Sequence, residues 1–360
     1  MRKLKNIMVT GGAGFIGSNF IRYLFKKKVF NGIIVDVDKL TYAGNLENLA
    51  DIDKDFSGKT YFFEQADICD YKGVRKLFLK YNIDTIVHFA AESHVDRSIF
   101  GPRDFIETNI IGTFNLLELA RELWTKKENV LFHHISTDEV YGSLGKAGYF
   151  YETTPYSPNS PYSASKASSD HLARAYLHTY GIPITLSNCS NNYGPYQFPE
   201  KLIPLMILNM IEEKPLPVYG DGKNIRDWLY VEDHASAVWA IMNRGKTGET
   251  YNIGGENEWE NIKLVYVLCE KMADFNGKDQ DYYKKLITFV KDRPGHDRRY
   301  AINCEKIKKE LGWKQSVDFY GGLDKTIEWY KNHRKWVENI KTGNYKKWID
   351  LNYGRRTSSL

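Results

Sequence analysis

The feature of this sequence that most restricts its fold is a glycine-rich turn between a strand and a helix. The apolar run at positions 6–10 predicts the strand, and the spacing of apolar residues over positions 15–28 predicts the helix. Four glycines near the turn fit both GxxGxxG and GxGxxG: Gly11, Gly12, Gly14 and Gly17. Such a turn lets backbone N–H groups approach a pyrophosphate, and the helix N-terminus adds unpaired donors. The turn therefore predicts a dinucleotide-binding site.

Short runs of β-branched residues alternate with helical patterns along the first half of the chain. Further strands are predicted at Gly32–Val37, Thr60–Glu64, Thr85–Ala90 and Val130–Ser136, and the clearest helices at Asp104–Trp124 and Tyr162–Tyr180. This alternation predicts an α/β fold, a Rossmann-type doubly wound parallel sheet with ligand sites at the carboxyl ends of its strands.

The pattern changes near residue 191, where prolines cluster and the segments become shorter and more aromatic. We therefore expect a dinucleotide-binding domain over residues 1–190, to which segments near 229–253 return. A smaller C-terminal substrate-binding domain is expected mainly over residues 191–330. Residues 331–360, rich in Trp, Tyr and Lys, are expected to form a tail packed on the body.

Composition limits the possible partners and the cellular compartment. The net charge is +5, and the basic residues form no single stripe, so no nucleic-acid partner is expected. We find no apolar run long enough for a signal segment or a membrane span, which predicts a cytoplasmic protein without a membrane partner. Four cysteines lack CxxC or zinc spacing, so reduced thiols and no metal are expected: Cys69, Cys189, Cys269 and Cys304.

Acidic residues after the second and third strands indicate which dinucleotide is bound. Asp36 and Asp38 both lie about 20 residues beyond the glycine turn, where a carboxylate binds the adenosine ribose. A carboxylate there repels a 2′-phosphate, so NAD is favoured over NADP, although Lys39 weakens that argument. Asp67, after the third strand, is placed to meet the adenine.

A tyrosine and a lysine four residues apart suggest the chemistry. The pattern YxxxK occurs three times, but only Tyr162 and Lys166 begin a helix that follows a strand ending in Ser136-Thr137. Residues four apart share one helix face. A lysine cation beside a phenol lowers the phenol pKa from about 10, so Tyr162 is expected to act as a base.

Longer strings carry a family resemblance. GGAGFIG and YSASK resemble the extended short-chain dehydrogenase/reductase superfamily. Seven strings resemble, within it, the dTDP-glucose 4,6-dehydratase family: VDKLTYAGNLENL (37–49), AAESHVDRSI (90–99), ISTDEVYG (135–142), SPYSASKASSDHL (160–172), NCSNNYGPYQFPEKLIPL (188–205), IRDWLYVEDH (225–234) and DRPGHDRRYAI (292–302). They span nearly the whole chain.

The resemblance implies an NAD-dependent dehydration of a nucleoside-diphosphate glucose to the 4-keto-6-deoxy sugar. Tyr162 would take the proton of the C4 hydroxyl, with help from Lys166 and Thr137, while NAD accepts the C4 hydride. Asp138 would protonate the departing C6 hydroxyl, and Glu139 would remove the C5 proton. The residues alone leave open which carboxyl is the acid. Related epimerases lack this acid–acid pair, and GDP-mannose 4,6-dehydratases tend to keep only the glutamate.

The resemblance also implies binding residues and a homodimer. The NAD set is Gly11, Gly14, Phe15, Ile16, Gly17, Asp38, Lys39, Thr41, Asp67, Ile68, Ala90, Ala91, Ser93, Thr108, Tyr162, Lys166 and Asn192. The set for the nucleotide sugar, in the C-terminal domain and beside it, is Ser93, Thr137, Asn191, Lys201, Leu202, Pro217, Tyr219, Arg226, Asn261, Arg293 and His296. The nucleotide of the substrate (dTDP or UDP) stays open. Two alternative functions also remain: an epimerase of the same superfamily and a non-catalytic NAD sensor.

Overall fold

A seven-stranded parallel sheet forms the first layer of the computed structural model, which describes residues 2–125 and 127–341. The strands of the molecule are β1 (Asn6–Thr10), β2 (Ile33–Asp38), β3 (Tyr61–Gln65), β4 (Thr85–His88), β5 (Leu131–Thr137), β6 (Ile184–Cys189), β7 (Asn191–Tyr193), β8 (Leu216–Tyr219), β9 (Ile225–Tyr230), β10 (Thr250–Ile253), β11 (Glu258–Glu260) and β12 (Ile287–Val290). The large sheet has the order β10-β6-β5-β4-β1-β2-β3. The predicted Rossmann-type α/β fold is therefore confirmed.

Helices cover both faces of this sheet. They are α1 (Phe15–Lys26), α2 (Ala50–Phe56), α3 (Tyr71–Lys80), α4 (Val95–Phe100), α5 (Pro102–Phe105), α6 (Thr113–Leu123), α7 (Pro161–Tyr180), α8 (Leu202–Ile211), α9 (Val231–Arg244), α10 (Asn261–Asn276), α11 (Glu305–Leu311), α12 (Phe319–Asn332) and α13 (Arg334–Ile340). The apolar side chains of α1 and α9 pack on one face, and those of α3, α6 and α7 pack on the other. Strands covered on both faces are buried along their length, as the apolar runs of β4 and β5 predict.

The order of the strands reverses between β1 and β4. Thr10 of β1 pairs with Val37 of β2 on one side and with His88 of β4 on the other. Chain connections therefore leave the sheet in opposite directions at this point, and a crevice opens beyond the carboxyl ends of the two strands. The glycine turn lies at this crevice.

A second apolar cluster surrounds two small sheets, β11-β9-β7 and β12-β8. Helices α8, α10, α12 and α13 supply most of its side chains. The turn from β6 to β7 carries the chain from the large sheet into this region, and β10 returns to pair with β6. Both regions therefore meet along the crevice.

One predicted helix is wrong in its form. The segment Asp104–Trp124 is three helical pieces: α5 from Pro102, a π-helical stretch over Ile106–Gly112, and α6. Asn109 in the π-helical stretch bonds the Glu92 backbone through both its amide atoms. Tertiary contacts of this kind cannot be read from apolar periodicity.

The end of the described chain packs against the body. Trp336 of α13 is buried, and its indole N–H donates to Asn48 Oδ1 at 2.8 Å. Residues 342–360 of the predicted tail lie outside the described residues. Within residues 2–125 and 127–341, helices are too short or too polar to cross a membrane.

Candidate active site

A cavity of about 290 Å³ opens beyond the carboxyl ends of the large sheet. All the residues that the sequence assigns to NAD line this cavity: Gly11, Gly14, Phe15, Ile16, Gly17, Asp38, Lys39, Thr41, Asp67, Ile68, Ala90, Ala91, Ser93, Thr108, Tyr162, Lys166 and Asn192. The fold thus brings together residues from seven separate stretches of the sequence.

The glycine turn is shaped by close backbone packing. Gly11 has φ +73°, and a Cβ there would lie 2.6 Å from the Ala90 backbone nitrogen. A Cβ on Gly17 would lie 2.3 Å from the Gly11 carbonyl oxygen, so α1 could not approach the strand with a larger residue. Gly14 begins α1 without a side-chain cap. The first amide N–H groups of α1 therefore lack intrahelical partners at the cavity.

Asp36 and Asp38 are two residues apart on β2, so strand alternation directs both to the same face, but their surroundings differ. Asp36 is fully buried and accepts a hydrogen bond from the Tyr61 hydroxyl at 2.9 Å, so it supports the core. Asp38 lines the cavity and accepts from the Ala13 and Leu40 backbone N–H groups at 3.1 and 2.8 Å. Asp38 is therefore the carboxylate available to a ribose.

Lys39, which weakened the choice of NAD, has a partner. Its ammonium lies 2.6 Å from Asp67 Oδ2 across the mouth of the cavity. This pair offsets the positive charge that would otherwise attract a 2′-phosphate.

A second cavity of about 170 Å³ adjoins the first. Five residues line both cavities: Ser93, Glu139, Asn191, Glu200 and Lys201. The residues that the sequence assigns to the nucleotide sugar line the second cavity, except Thr137, which lines the first: Ser93, Asn191, Lys201, Leu202, Pro217, Tyr219, Arg226, Asn261, Arg293 and His296. The two cavities are therefore continuous around Glu139.

Polar atoms in the second cavity are held ready for a ligand. Arg226 donates to the Asp297 carbonyl at 2.9 Å, and its guanidinium lies 4.2 Å from the Tyr300 ring centre. Among the described residues that line this cavity, the buried atoms without a hydrogen-bond partner include Asn191 Oδ1, Trp228 Nε1, Asn261 Oδ1 and Arg293 Nε. Buried polar atoms are seldom left unpaired in folded proteins, so this set fits a polar, anionic ligand.

The adjacent carboxyls of Asp138 and Glu139 have different surroundings. Burial raises the pKa of Asp138 well above its ordinary value, and the charges of Glu139 and Asp227 raise it further. Burial also raises the pKa of Glu139, but the cations Arg293, Arg226 and Lys201 oppose that shift. The surroundings therefore favour a protonated Asp138 beside an ionised Glu139.

Helix α7 brings Tyr162 and Lys166 to the end of β5. Ser160 caps the helix by accepting a hydrogen bond from the Ser163 backbone N–H at 3.0 Å, and Pro161 occupies the first turn. Tyr162 therefore sits beside Thr137, whose hydroxyl opposes the rise in its pKa.

The expected lowering of the Tyr162 pKa is wrong for the protein alone. Burial raises the pKa of Tyr162 well above 10, and the charge of Glu139 adds to that rise. Lys166 instead donates a hydrogen bond to the Ile135 carbonyl at 2.7 Å. Desolvation of the phenolate thus has a larger effect on the Tyr162 pKa than the lysine cation on which the prediction depended.

Comparison with known proteins identifies the family. The GDP-mannose 4,6 dehydratase family model matches residues 8–326. A dTDP-glucose 4,6-dehydratase of Escherichia coli is 56% identical, with 97% of this chain and 99% of that protein covered. The chain belongs to the dTDP-glucose 4,6-dehydratase family.

Solved structures of this family agree with the fold. The dTDP-glucose 4,6-dehydratase of Bacillus anthracis in complex with NAD has a TM-score of 0.83 and 46% identity, covering 94% of this chain and 100% of that one. That of Streptomyces venezuelae, also with NAD bound, has a TM-score of 0.85 and 44% identity, covering 93% and 99%.

The first cavity of this family member fits NAD. Uncapped amides at the start of α1 suit a pyrophosphate, and Asp38 suits a ribose. Asn192 is fixed by donating to the Ser190 carbonyl at 3.0 Å and by its contact with His234 at 2.9 Å. These contacts hold it at the inner end of the cavity.

Other dehydratase site residues were missed from the sequence. Glu200 lines both cavities, and its carboxylate pairs with Arg97 at 3.0 Å. Tyr42 and Phe198 also line the first cavity, and their rings meet edge to face. Tyr42, Phe198 and Glu200 lie in the strings 37–49 and 188–205, but they belong to no motif of known chemistry that would have predicted a role for them.

Proposed function

We propose that this protein dehydrates dTDP-glucose to dTDP-4-keto-6-deoxyglucose and water, with NAD as its cofactor. The observation that carries the proposal is the Asp138–Glu139 pair at the junction of the two cavities. An enzyme that only oxidises C4 or inverts it has no use for an acid and a base there. The full-length similarity to dTDP-glucose 4,6-dehydratases supports the same reaction.

The first step removes two hydrogens at C4 of the sugar. Tyr162 is placed to accept the proton of the C4 hydroxyl, and Thr137 to hydrogen-bond the C4 oxygen. NAD, when bound, supplies the hydride acceptor for C4 and the hydride donor for C6. Gly11, Gly14, Gly17 and Asp38 are the residues proposed to hold it.

The second step eliminates water across C5 and C6. The C4 ketone makes the C5 proton acidic, and Glu139 removes that proton. Asp138 gives its proton to the C6 hydroxyl, which leaves as water. C5 is then reprotonated when C6 accepts the hydride. Opposite roles for two carboxyls require their pKa values to be pushed apart, and their surroundings favour this assignment.

The nucleotide sugar is proposed to lie in the second cavity. Arg226 and Arg293 suit a pyrophosphate, since guanidinium groups bind its oxygens in pairs. Tyr219 and His296 line the same cavity with rings 6.1 Å apart, and Tyr219 suits packing near the base or its ribose.

A panel of substrates tests this function. The protein would be incubated with dTDP-, UDP-, GDP- and CDP-glucose, and the 4-keto product followed by its absorbance in alkali. We expect product from dTDP-glucose at the highest kcat/KM. Faster turnover of UDP-glucose would show that the preferred substrate carries uracil and not thymine. NAD binding without a keto product from any sugar would refute the enzyme assignment.

Two further proposals follow from the same site and surface. We propose that the protein acts as a homodimer through α5, α6 and α7, and that it works in the cytoplasm. The cytoplasmic proposal is supported by four free cysteines among the described residues, as expected for a reducing compartment.

A further inference from the structure

Helix α7 is fastened to strand β5 at three successive residues of that strand. Lys166 Nζ donates to the Ile135 carbonyl at 2.7 Å. Ser136 Oγ donates to Asp170 Oδ2 at 2.7 Å, and His134 Nε2 lies 3.0 Å from Asp170 Oδ1. Lys166 and Asp170 are four residues apart, so they share the helix face that meets the strand.

Asp170 lies behind the wall of the active site. It is fully buried and also accepts a hydrogen bond from the Tyr156 hydroxyl at 2.9 Å. Lys166 is 4% exposed and lines the first cavity, whereas Asp170 is not among the described residues that line either cavity. Asp170 can therefore influence the reaction only through its neighbours.

A buried ammonium needs a compensating charge, because leaving water disfavours its ionised form. The titratable groups that act on Lys166 are Asp170 on its own helix, Cys189 on β6, His134 on β5 and His88 on β4. Tyr162 lies one turn before Lys166 on the same helix. Burial lowers the pKa of both His88 and His134, which leaves these imidazoles neutral.

Asp170 is the anion of this group. Burial alone would raise the pKa of its carboxyl, but the contact with His134, the Lys166 cation and the Ser136 hydroxyl together lower it. In turn, Asp170 opposes the fall in the Lys166 pKa that burial causes.

We propose that Asp170 is a positioning residue for catalysis: it is the buried counter-charge that keeps Lys166 an ammonium and fixes it against β5. The proposal rests on the function proposed above and adds that a charged Lys166 assists Tyr162 in it. It assigns a role to a residue that touches neither ligand.

The test measures the charge of Lys166 directly in the variant D170N. Purified protein would be pulsed with acetic anhydride between pH 6 and 10, below the ordinary lysine pKa of about 10.4, because burial lowers the pKa of Lys166. Acetylation of Lys166 would be quantified by peptide mass spectrometry. Only the neutral amine reacts. Removing a nearby anion disfavours the ammonium, so the midpoint should move to lower pH by about 1 unit. The single-turnover rate of reduced-nicotinamide formation should be measured across the same pH range. The alkaline limb of its pH profile should move to lower pH by the same amount.

Two control variants separate charge from packing. Y156F removes one hydrogen bond to Asp170 but keeps its charge, so the midpoint should stay in place. D233N changes another buried helical carboxylate, one that accepts from Ser316 and Val317. It should lower stability without moving the midpoint.

The outcomes keep this proposal distinct from the function itself. An unchanged midpoint in folded D170N would overturn the role of Asp170, and so would an equal shift in D233N. If D170N does not fold, the wild type still decides, because a Lys166 that is already reactive at pH near 7 would contradict a compensated ammonium. Absence of a keto-sugar product would overturn the function and leave the acetylation result standing.

Discussion

At the scale of single residues, two neighbouring carboxyls at one strand end have the surroundings that the proposed acid and base need. Asp138 and Glu139 are neighbours in sequence, but only Glu139 faces a cluster of cations. Asp138 Oδ2 is buried without a hydrogen-bond partner among the described residues. A neutral carboxyl tolerates such a site far better than a carboxylate does.

The variant D138N tests the acid. An amide has no proton to give the C6 hydroxyl, so elimination should slow by about 100-fold or more, the usual contribution of a general acid. Oxidation at C4 depends on Tyr162 and should change much less. Single-turnover measurements would follow reduced nicotinamide and keto product separately. If both steps slow equally, the role given to Asp138 is wrong.

The pH dependence tests the base. Glu139 must be ionised to act, so elimination is lost as pH falls through its pKa. Arg293 is the cation that most opposes the raised pKa of Glu139. In R293Q that pKa rises further, and the acid limb of kcat should move to higher pH. R298Q, which removes an exposed pair with Asp221, is the matched control and should leave the limb unchanged.

At the scale of elements, the strands were predictable and the helices less so. β1 was predicted at its observed bounds, and the next four predicted strands were found within one or two residues of theirs. Buried parallel strands carry their own signal, because both faces are apolar. The π-helical stretch at 106–112 has no such signal, since contacts with the loop at Glu92 decide its form.

The site followed the same rule. Residues in motifs at strand ends could be placed because the fold fixes where strands end. The direction of the Tyr162 pKa shift could not be predicted from the sequence, because burial depends on how the whole chain packs. Glu200 was missed for a similar reason: its importance comes from Arg97, more than a hundred positions away.

Three residues that line the first cavity and the arginine that contacts two of them form a group that we name the Tyr42 clamp: Tyr42, Phe198, Glu200 and Arg97. The Arg97 guanidinium lies 3.7 Å from the Tyr42 ring centre and 3.0 Å from Glu200. Tyr42 also meets Phe198 edge to face at 5.4 Å. The clamp joins the loop after β2 to the segment before α8.

The variant R97M tests whether the clamp retains NAD. Because hydride taken from C4 returns to C6, the cofactor is restored at each turnover and need not leave. Losing the ring contact and the ion pair removes about 1–2 kcal/mol, which corresponds to roughly tenfold faster NAD loss. Bound NAD would be measured after dialysis and denaturation. R103M, at an exposed position, is the control. A wild type that purifies without NAD would contradict retention.

The whole molecule carries an apolar surface that a monomer would leave in water. Phe100, Ile106, Ile111 and Phe114 are each at least 40% exposed, and all lie between α4 and the start of α6. These elements lie beside α7, which carries Tyr162, so pairing here would brace the catalytic helix. Clustered exposed apolar residues of this kind mark protein interfaces.

We therefore expect the wild type to sediment as a dimer and the double variant I111E/F114E as a monomer. Two buried carboxylates per subunit would face their copies across a twofold axis, and like charges there are strongly unfavourable. F289E, at another exposed apolar position on β12, is the matched control and should remain a dimer. A monomeric wild type, or a double variant that stays dimeric, would move the interface away from this face. If the monomer also loses keto-product formation while keeping its thermal stability, then bracing of α7 by the second subunit is part of catalysis.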